Sequence, residues 1–249
     1  MVASSGSPVF VREGIVGASL CDASGRLGLS QQFSILQDLA SEHAALLGVG
    51  ADDMRRRGLY WVVTHTRLRI CARAELNAPL TMTTWPNRCA PEDVRTYRSY
   101  RIESAGTLLA EGRAEWIVLN AETNRPVRTR DSGFPFGLAF CETVAVPEPF
   151  LRERDGFAET DAVLTRPVVS SEIDSAHHMN NVAYVRAMLD AFSARDRSEL
   201  PVSAIEVRYG DPCREGDRIT IAKRAVETGF RLAVLKENGR IASSAALHL

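Results

Sequence analysis

What most restricts the fold of this chain is that one order of elements occurs twice. An apolar stretch over residues 9–20, fit for a strand, runs into the turn cluster Asp22 to Arg26. Next comes a helix, which Ser30 can cap, with Phe33, Leu36, Leu39, Ala40 and Leu47 recurring at helical spacing and a stop near Gly48 and Gly50. The extended segments YWVVTHTRLRIC, LTMTTW, RTYRSYRIES and TLLAEGRAEWIVLNAE follow, separated by Pro79, by Trp85-Pro86-Asn87 and by Ser104-Ala105-Gly106. The second half restarts the series: a strand pattern over 162–173, a polar loop over 174–181, and a helical face of Val182, Val185, Met188, Leu189 and Phe192. Extended runs at 202–209, 218–227, 230–236 and 240–248 complete it, the last two joined by Asn238-Gly239, a strong hairpin signal. Aligned at the loops, Asp22-xxx-Arg26-Leu27 falls on Asp174-xxx-His178-Met179.

Each half therefore reads as one helix followed by an antiparallel meander. A sheet of that kind can wrap its helix and offer an edge to a second copy, which this chain supplies itself. The expected class is α+β, with two tandem domains, each an antiparallel sheet around a central helix. Boundaries are expected at 1–135 and 156–249, with a connector over 136–155 broken by Pro147 and Pro149. The length of 249 residues suits two such domains, and Ser4 to Ser7 read as a disordered lead-in.

Composition removes several function classes. With 30 Lys+Arg against 31 Asp+Glu, the chain lacks the basic surplus that phosphate neutralisation needs, so no nucleic-acid partner is expected. A hydrophobic fraction of 45% rules out wholesale disorder. No run approaches the roughly 18 apolar residues of a membrane span, and the opening lacks the charged and apolar regions of a signal peptide. A cytoplasmic protein without a membrane partner is the expectation. Cys21, Cys71, Cys89, Cys141 and Cys213 are odd in number and lack CxxC spacing, which argues for reduced thiols rather than disulfides or a zinc site. The basic run Arg55-Arg56-Arg57 and the strand pair Arg67 and Arg69 read first as solvated surface, with docking of an acidic partner as the alternative.

The densest polar constellation is the second loop, EIDSAHHMNNVAYVRAML, which places Asp174, His177, His178, Asn180 and Asn181 directly before a helix. A helix N-terminus presents unpaired N–H groups and the positive end of the dipole, where a developing oxyanion is stabilised. The stretch Asp174-xxx-His178-Met179-Asn180-Asn181-xx-Tyr184 resembles the D-x-x-x-H-V-N-N-x-x-Y signature of hotdog-fold thioesterases. Further segments narrow the resemblance to acyl-acyl-carrier-protein thioesterases, whose chains fuse two hotdog domains. They are Ala40 to Ala44, Gly58 to Val63, Thr84-Trp85-Pro86, Ala114 to Val118 and Asn124-Arg125-Pro126, in family order over nearly the whole chain. This chain departs from the family pattern at Ala176, where many members have Asn, and at Pro212, where many have Glu, while Cys213 falls on the family's Cys position.

The resemblance implies hydrolysis of a fatty-acyl or related thioester carried by acyl carrier protein, with neither metal nor organic cofactor. It makes Asp174, His178, Asn181 and Cys213 the candidate catalytic residues. Asp174 and His178, whose reference pKa is about 6.5, would orient and deprotonate a water, and amides near Asn181 would hold the oxyanion. Cys213 has a competing identity as a small buried hydrophobe. Trp61, Trp85, Trp116 and Asn180 are the candidate substrate-binding residues; the resemblance gives the first domain the acyl chain, although strand aromatics also pack sheets. An acyl-CoA thioesterase of the same fold and a catalytically silent acyl-binding protein are the alternatives, and both a monomer and a homodimer are compatible with the fused pair.

Overall fold

The computed structural model describes residues 7–138, 140–152 and 156–249. Most of the proposed lead-in, Ser4 to Gly6, and connector residues 139 and 153–155 lie outside the described residues. The chain divides into two compact units: one of residues up to Cys21 with Arg26–Glu148, the other of Asp22–Gly25 with Pro149–Leu249.

The first unit contains β1 (Phe10–Ile15), α1 (Leu29–Leu46), α2 (Ala51–Arg56), β2 (Leu59–Ile70), β3 (Pro79–Pro86), β4 (Arg95–Ser104), β5 (Thr107–Asn120) and the short β6 (Pro126–Val127) on β5. Its strands lie in the order β1-β3-β4-β5-β2, every pairing antiparallel. The second unit contains β7 (Ala162–Pro167), α3 (Asn181–Leu189), α4 (Ala194–Glu199), β8 (Ala204–Tyr209), β9 (Arg218–Val226), β10 (Gly229–Lys236) and β11 (Ile241–His248). Its order, β8-β11-β10-β9-β7, is the same permutation, again antiparallel. Each is a hotdog, an antiparallel sheet around a central helix.

Two expectations need correction. The extended runs do not form an uninterrupted meander, because the first strand after each helix pairs with the last: β2 with β5 and β8 with β11. Hydrophobic alternation marks where strands lie but carries no information on their lateral order. Nor does Ser30 cap α1. The N-cap is Gly28, whose N–H is tied to the Leu20 carbonyl at 2.9 Å, and Ser30 sits inside the first turn with its hydroxyl on Gln31. A tertiary bridge between Cys21 and Leu27 thus fixes where the helix begins.

The strands alternate in burial, and one face of each sheet carries the helix. In α1 the buried residues Phe33, Leu36, Leu39, Ala40 and His43 recur at helical spacing along one side. Leu36 approaches β5 at Gly112, where a β-carbon would stand 2.9 Å from the Arg67 carbonyl oxygen and 3.4 Å from Leu36 Cδ2. Glycine there lets helix and sheet close up. Fully buried Leu39, Leu68 and Ile102 on this side each contribute roughly 1.5–3 kcal/mol. The corresponding core of the second unit contains Val185, Met188, Ile205, Ile221 and Leu232.

The opposite face of the first sheet is crossed by the segment after Phe140. Trp85 Nε1 donates to the Thr143 carbonyl at 2.7 Å, and the Ala145 N–H donates to Ser99 Oγ at 3.1 Å. Arg67 donates to the Glu148 carbonyl, while Arg69 bridges the Glu111 and Glu148 carboxylates at 2.8 Å each. The Arg67 and Arg69 pair, expected as solvated surface, anchors this segment. In the second unit the Leu151 N–H donates to buried Glu206 at 2.5 Å. No helix among the described residues is long and apolar enough to cross a membrane.

Candidate functional site

The polar loop of the second unit is a closed hydrogen-bonded structure. An isolated bridge between Ile173 and Met179 shuts its base. Within it the Asp174 N–H donates to the His178 carbonyl and the His177 N–H to the Asp174 carbonyl, both at 3.0 Å. The Asp174 carboxylate accepts the Ala176 N–H at 2.9 Å and faces the Asn180 amide at 3.5 Å. Asn180 is also the N-cap of α3, its Oδ1 accepting the Val182 N–H at 2.9 Å. Among the described residues the Asn181 N–H, at the first helical position, has no acceptor. Asp174, the backbone of His178, Asn180 and the head of α3 are thereby held in one frame, with His178 as a whole residue half-buried and His177 exposed.

Supporting contacts fix that frame to the sheet. The Asn180 N–H donates to the Glu172 carbonyl, and Arg166 clamps the Glu172 carboxylate at 2.6 and 2.8 Å. Burial alone would raise the Glu172 carboxyl, but Arg166 and the Val169 N–H together hold it below the ordinary range. Cys213 is fully buried; its carbonyl accepts the Met179 N–H at 2.8 Å and its own N–H donates to the Tyr184 hydroxyl at 2.7 Å. Burial pushes the Cys213 thiol up, with Asp217 and Asp211 adding to this and Tyr184 and Lys236 opposing it. No imidazole is among the groups acting on it. The thiol is therefore protonated at neutral pH, and a thiolate is disfavoured. Tyr184, buried and with its hydroxyl pKa raised by that burial, is the residue the sequence reading left out of the site. Its place three residues after Asn181, one helical turn on, was the available signal.

The loop has a counterpart in the first half that repeats most of its backbone frame. Cys21 bridges Leu27 as Ile173 bridges Met179, and the Gly28 N–H meets Leu20 as Asn180 meets Glu172. Leu27 donates to the Ala74 carbonyl as Met179 does to Cys213, both at 2.8 Å. Ser24 and Ala176 each donate to their loop's aspartate at 2.9 Å. The sequence alignment of Asp22 with Asp174 is thus the register of the two backbones. One position differs in cost: Gly25 takes φ +75°, and its counterpart His177 takes φ +59° with a full side chain. A left-handed non-glycine residue costs of order 1–3 kcal/mol. His177→Gly is expected to raise the stability of the protein by about 1 kcal/mol, read as a higher urea midpoint; an unchanged or lower midpoint would show the loop to be unstrained.

The tryptophans separate by face. Trp61 and Trp116 both lie on the helix side, packed edge to face at 6.5 Å, with Trp61 Nε1 donating to the Val49 carbonyl. Trp85 points to the opposite face, beneath the Thr143 segment. The Arg55-Arg56-Arg57 run is internally occupied: Arg55 pairs with Asp52, Arg56 with Asp53, and Arg57 donates to the Gly48 carbonyl. Among the described residues no group of His, Cys, Asp and Glu is arranged to hold a metal ion.

Comparison with known proteins adds a family to this geometry. The model of the acyl-ACP thioesterase N-terminal domain matches residues 9–133, and that of the C-terminal domain matches residues 158–247. Among curated proteins, oleoyl-acyl carrier protein thioesterase 2 of Arabidopsis thaliana is 26% identical over 207 residues, covering 74% of this chain and 54% of that one. Palmitoyl-acyl carrier protein thioesterase of Gossypium hirsutum is 23% identical over 221 residues, covering 82% and 54%. The chain thus spans about half the length of the curated relatives it matches. Among solved structures, an acyl-ACP thioesterase from Bacteroides thetaiotaomicron superposes with a TM-score of 0.85 at 19% identity, covering 97% of both chains. The 12:0-ACP thioesterase of Umbellularia californica gives 0.84 at 16%, with the same coverage. These likenesses fix the fold, while the two family models together span most of the sequence, including the loop from Asp174 to Asn181 and Cys213: the chain belongs to the acyl-ACP thioesterase family.

Proposed function

We propose that this protein hydrolyses acyl thioesters of acyl carrier protein to the free acid by general-base activation of water. The observation that carries the proposal is the closed loop that brings Asp174 and His178 together through the backbone and leaves the Asn181 N–H unpaired at the head of α3. His178, oriented with Asp174, takes the proton of the attacking water, and the Asn181 N–H receives the oxyanion. As the tetrahedral intermediate collapses, that proton passes to the departing carrier thiolate. Asn180 holds Asp174 and caps the helix. The burial and raised pKa of the Cys213 thiol support a role in seating the loop through its backbone rather than as a nucleophile. The second unit carries the chemistry, and Trp61 and Trp116 of the first contribute apolar surface to acyl binding; Trp85, occupied on the other face, is the least suited of the three. The five free cysteines suit a reducing, cytoplasmic setting.

A panel of acyl thioesters of varied chain length, each carried on acyl carrier protein and on CoA, tests the proposal through thiol release. Turnover of the carrier-protein series with kcat/KM at least about tenfold above the CoA series is expected. Turnover of the CoA series alone would favour the acyl-CoA enzyme, and binding without turnover would leave an acyl-binding protein.

A further inference from the structure

We infer that the first unit holds a carboxylate-binding site at Arg98, separate from the loop at Asp174. Arg98 lies on β4, on the side of the sheet that faces α1, and is 9% exposed. Its Nη1 donates to His43 Nδ1 at 2.9 Å and to Thr84 Oγ1 at 3.3 Å. Among the described residues its Nε and Nη2 N–H groups have no acceptor and no carboxylate forms an ion pair with it. Both neighbours that take its hydrogen bonds are neutral. His43 itself, 1% exposed and stacked on Phe10, is kept uncharged by burial and by this guanidinium, and its other nitrogen is occupied by the Ser7 carbonyl at 3.0 Å. The Tyr100 hydroxyl beside Arg98 is also neutral, its pKa pushed up to about 12 by burial.

A buried guanidinium normally meets a carboxylate, because the uncompensated charge is otherwise costly. Here the protein supplies a fixed donor fork, with one edge occupied by neutral acceptors and the other open. A planar, bidentate carboxylate matches the donor geometry of that edge, and the 9% of Arg98 that stays exposed is its route of approach. Two sources share this chemistry: a free carboxylic acid, and a carboxyl group at the far end of a thioester's own acyl chain. The binding half of the argument is independent of the proposed hydrolysis.

The probes are octanoate and its neutral isostere octanamide. All three tryptophans lie in the first half of the chain, so intrinsic fluorescence reports binding there. Octanoate is expected to bind wild-type protein roughly 10- to 100-fold more tightly than octanamide, and Arg98→Met to remove that preference. Arg98→Met is also expected to stay folded with an unchanged or raised melting temperature, since it deletes an unpaired buried charge. If the variant fails to fold, the octanoate-to-octanamide ratio on wild type decides alone. Equal binding of the two probes, or a preference that survives in a folded Arg98→Met protein, would overturn the site. With the site established, thioesters with and without a terminal carboxyl identify its source. A KM advantage for the carboxylated acyl group, lost in Arg98→Met, assigns the site to the substrate; no such advantage assigns it to a free acid.

Discussion

His178→Ala is expected to lower kcat for acyl-carrier-protein thioesters by about 10²–10⁴-fold while leaving the fold intact. The loop depends on the backbone of residue 178, whose carbonyl accepts the Asp174 N–H, and not on its imidazole. Stability should therefore change by no more than about 0.5 kcal/mol, the usual span for a partly exposed side chain without structural bonds. Asp174 is a harder case because its carboxylate accepts the Ala176 N–H and faces the Asn180 amide. Asp174→Ala removes both charge and acceptor, so a loss of activity could reflect a loosened loop. Asp174→Asn keeps an oxygen for the Ala176 N–H and removes only the charge. A fall in kcat of similar size in Asp174→Asn, with an unchanged urea midpoint, assigns the effect to chemistry. Folded variants of both residues with wild-type turnover would sink the general-base assignment, and Cys213 would then have to be reconsidered as nucleophile.

Acid sensitivity is the second large effect, and it arises in the other unit. Burial first, and the Arg98 guanidinium second, lower the His43 pKa from 6.5 to about 4, against the raising influence of the Ser7 carbonyl. The folded state thus refuses a proton that the unfolded chain accepts once the pH falls below 6.5. Stability from this residue is complete above pH 6.5, declines between 6.5 and about 4, and falls no further below that. The interval corresponds to about 3 kcal/mol at most. Urea midpoints at pH 7, 5.5 and 4 should show this decline in wild type, and a shallower one in His43→Gln, whose amide oxygen can still accept from Arg98. Parallel declines in the two proteins would mean that His43 is protonated at little cost in the fold.

The sequence exposed the repeat because its signal is local: apolar periodicity, turn residues and a shared aspartate at the same offset from two helices. The segments RTYRSYRIES and TLLAEGRAEWIVLNAE begin at the residues where β4 and β5 begin. Local signals failed where tertiary contacts set the outcome. The start of α1 is dictated by the Cys21 to Leu27 bridge, which made Ser30 a misleading cap. The partner of β2 is β5, 40 or more residues away, and no pattern within either strand names the other. At the site, Asp174, His178 and Asn180 were legible as a cluster since they are close in sequence. The anchoring of Cys213 by Tyr184 was not, because the bond joins a helix to a loop beyond the next strand. The faces of the tryptophans follow from strand register, which assigns Trp85 and Trp116 to opposite sides. The open edge of Arg98 required knowing what α1 brings to β4.

The backbone frame that the two loops share makes the first one a built-in control for the second. The bonds common to both loops form with Gly25 and Arg26 in one and His177 and His178 in the other, so those bonds do not depend on an imidazole. The frame and the side chains it presents are thus separable: the same backbone bonds carry two different sets of residues. Asp22 already stands where Asp174 stands, and Arg26 occupies the position of His178. The first loop is in that sense the same scaffold without an imidazole, a frame whose side chains can change without unmaking the fold.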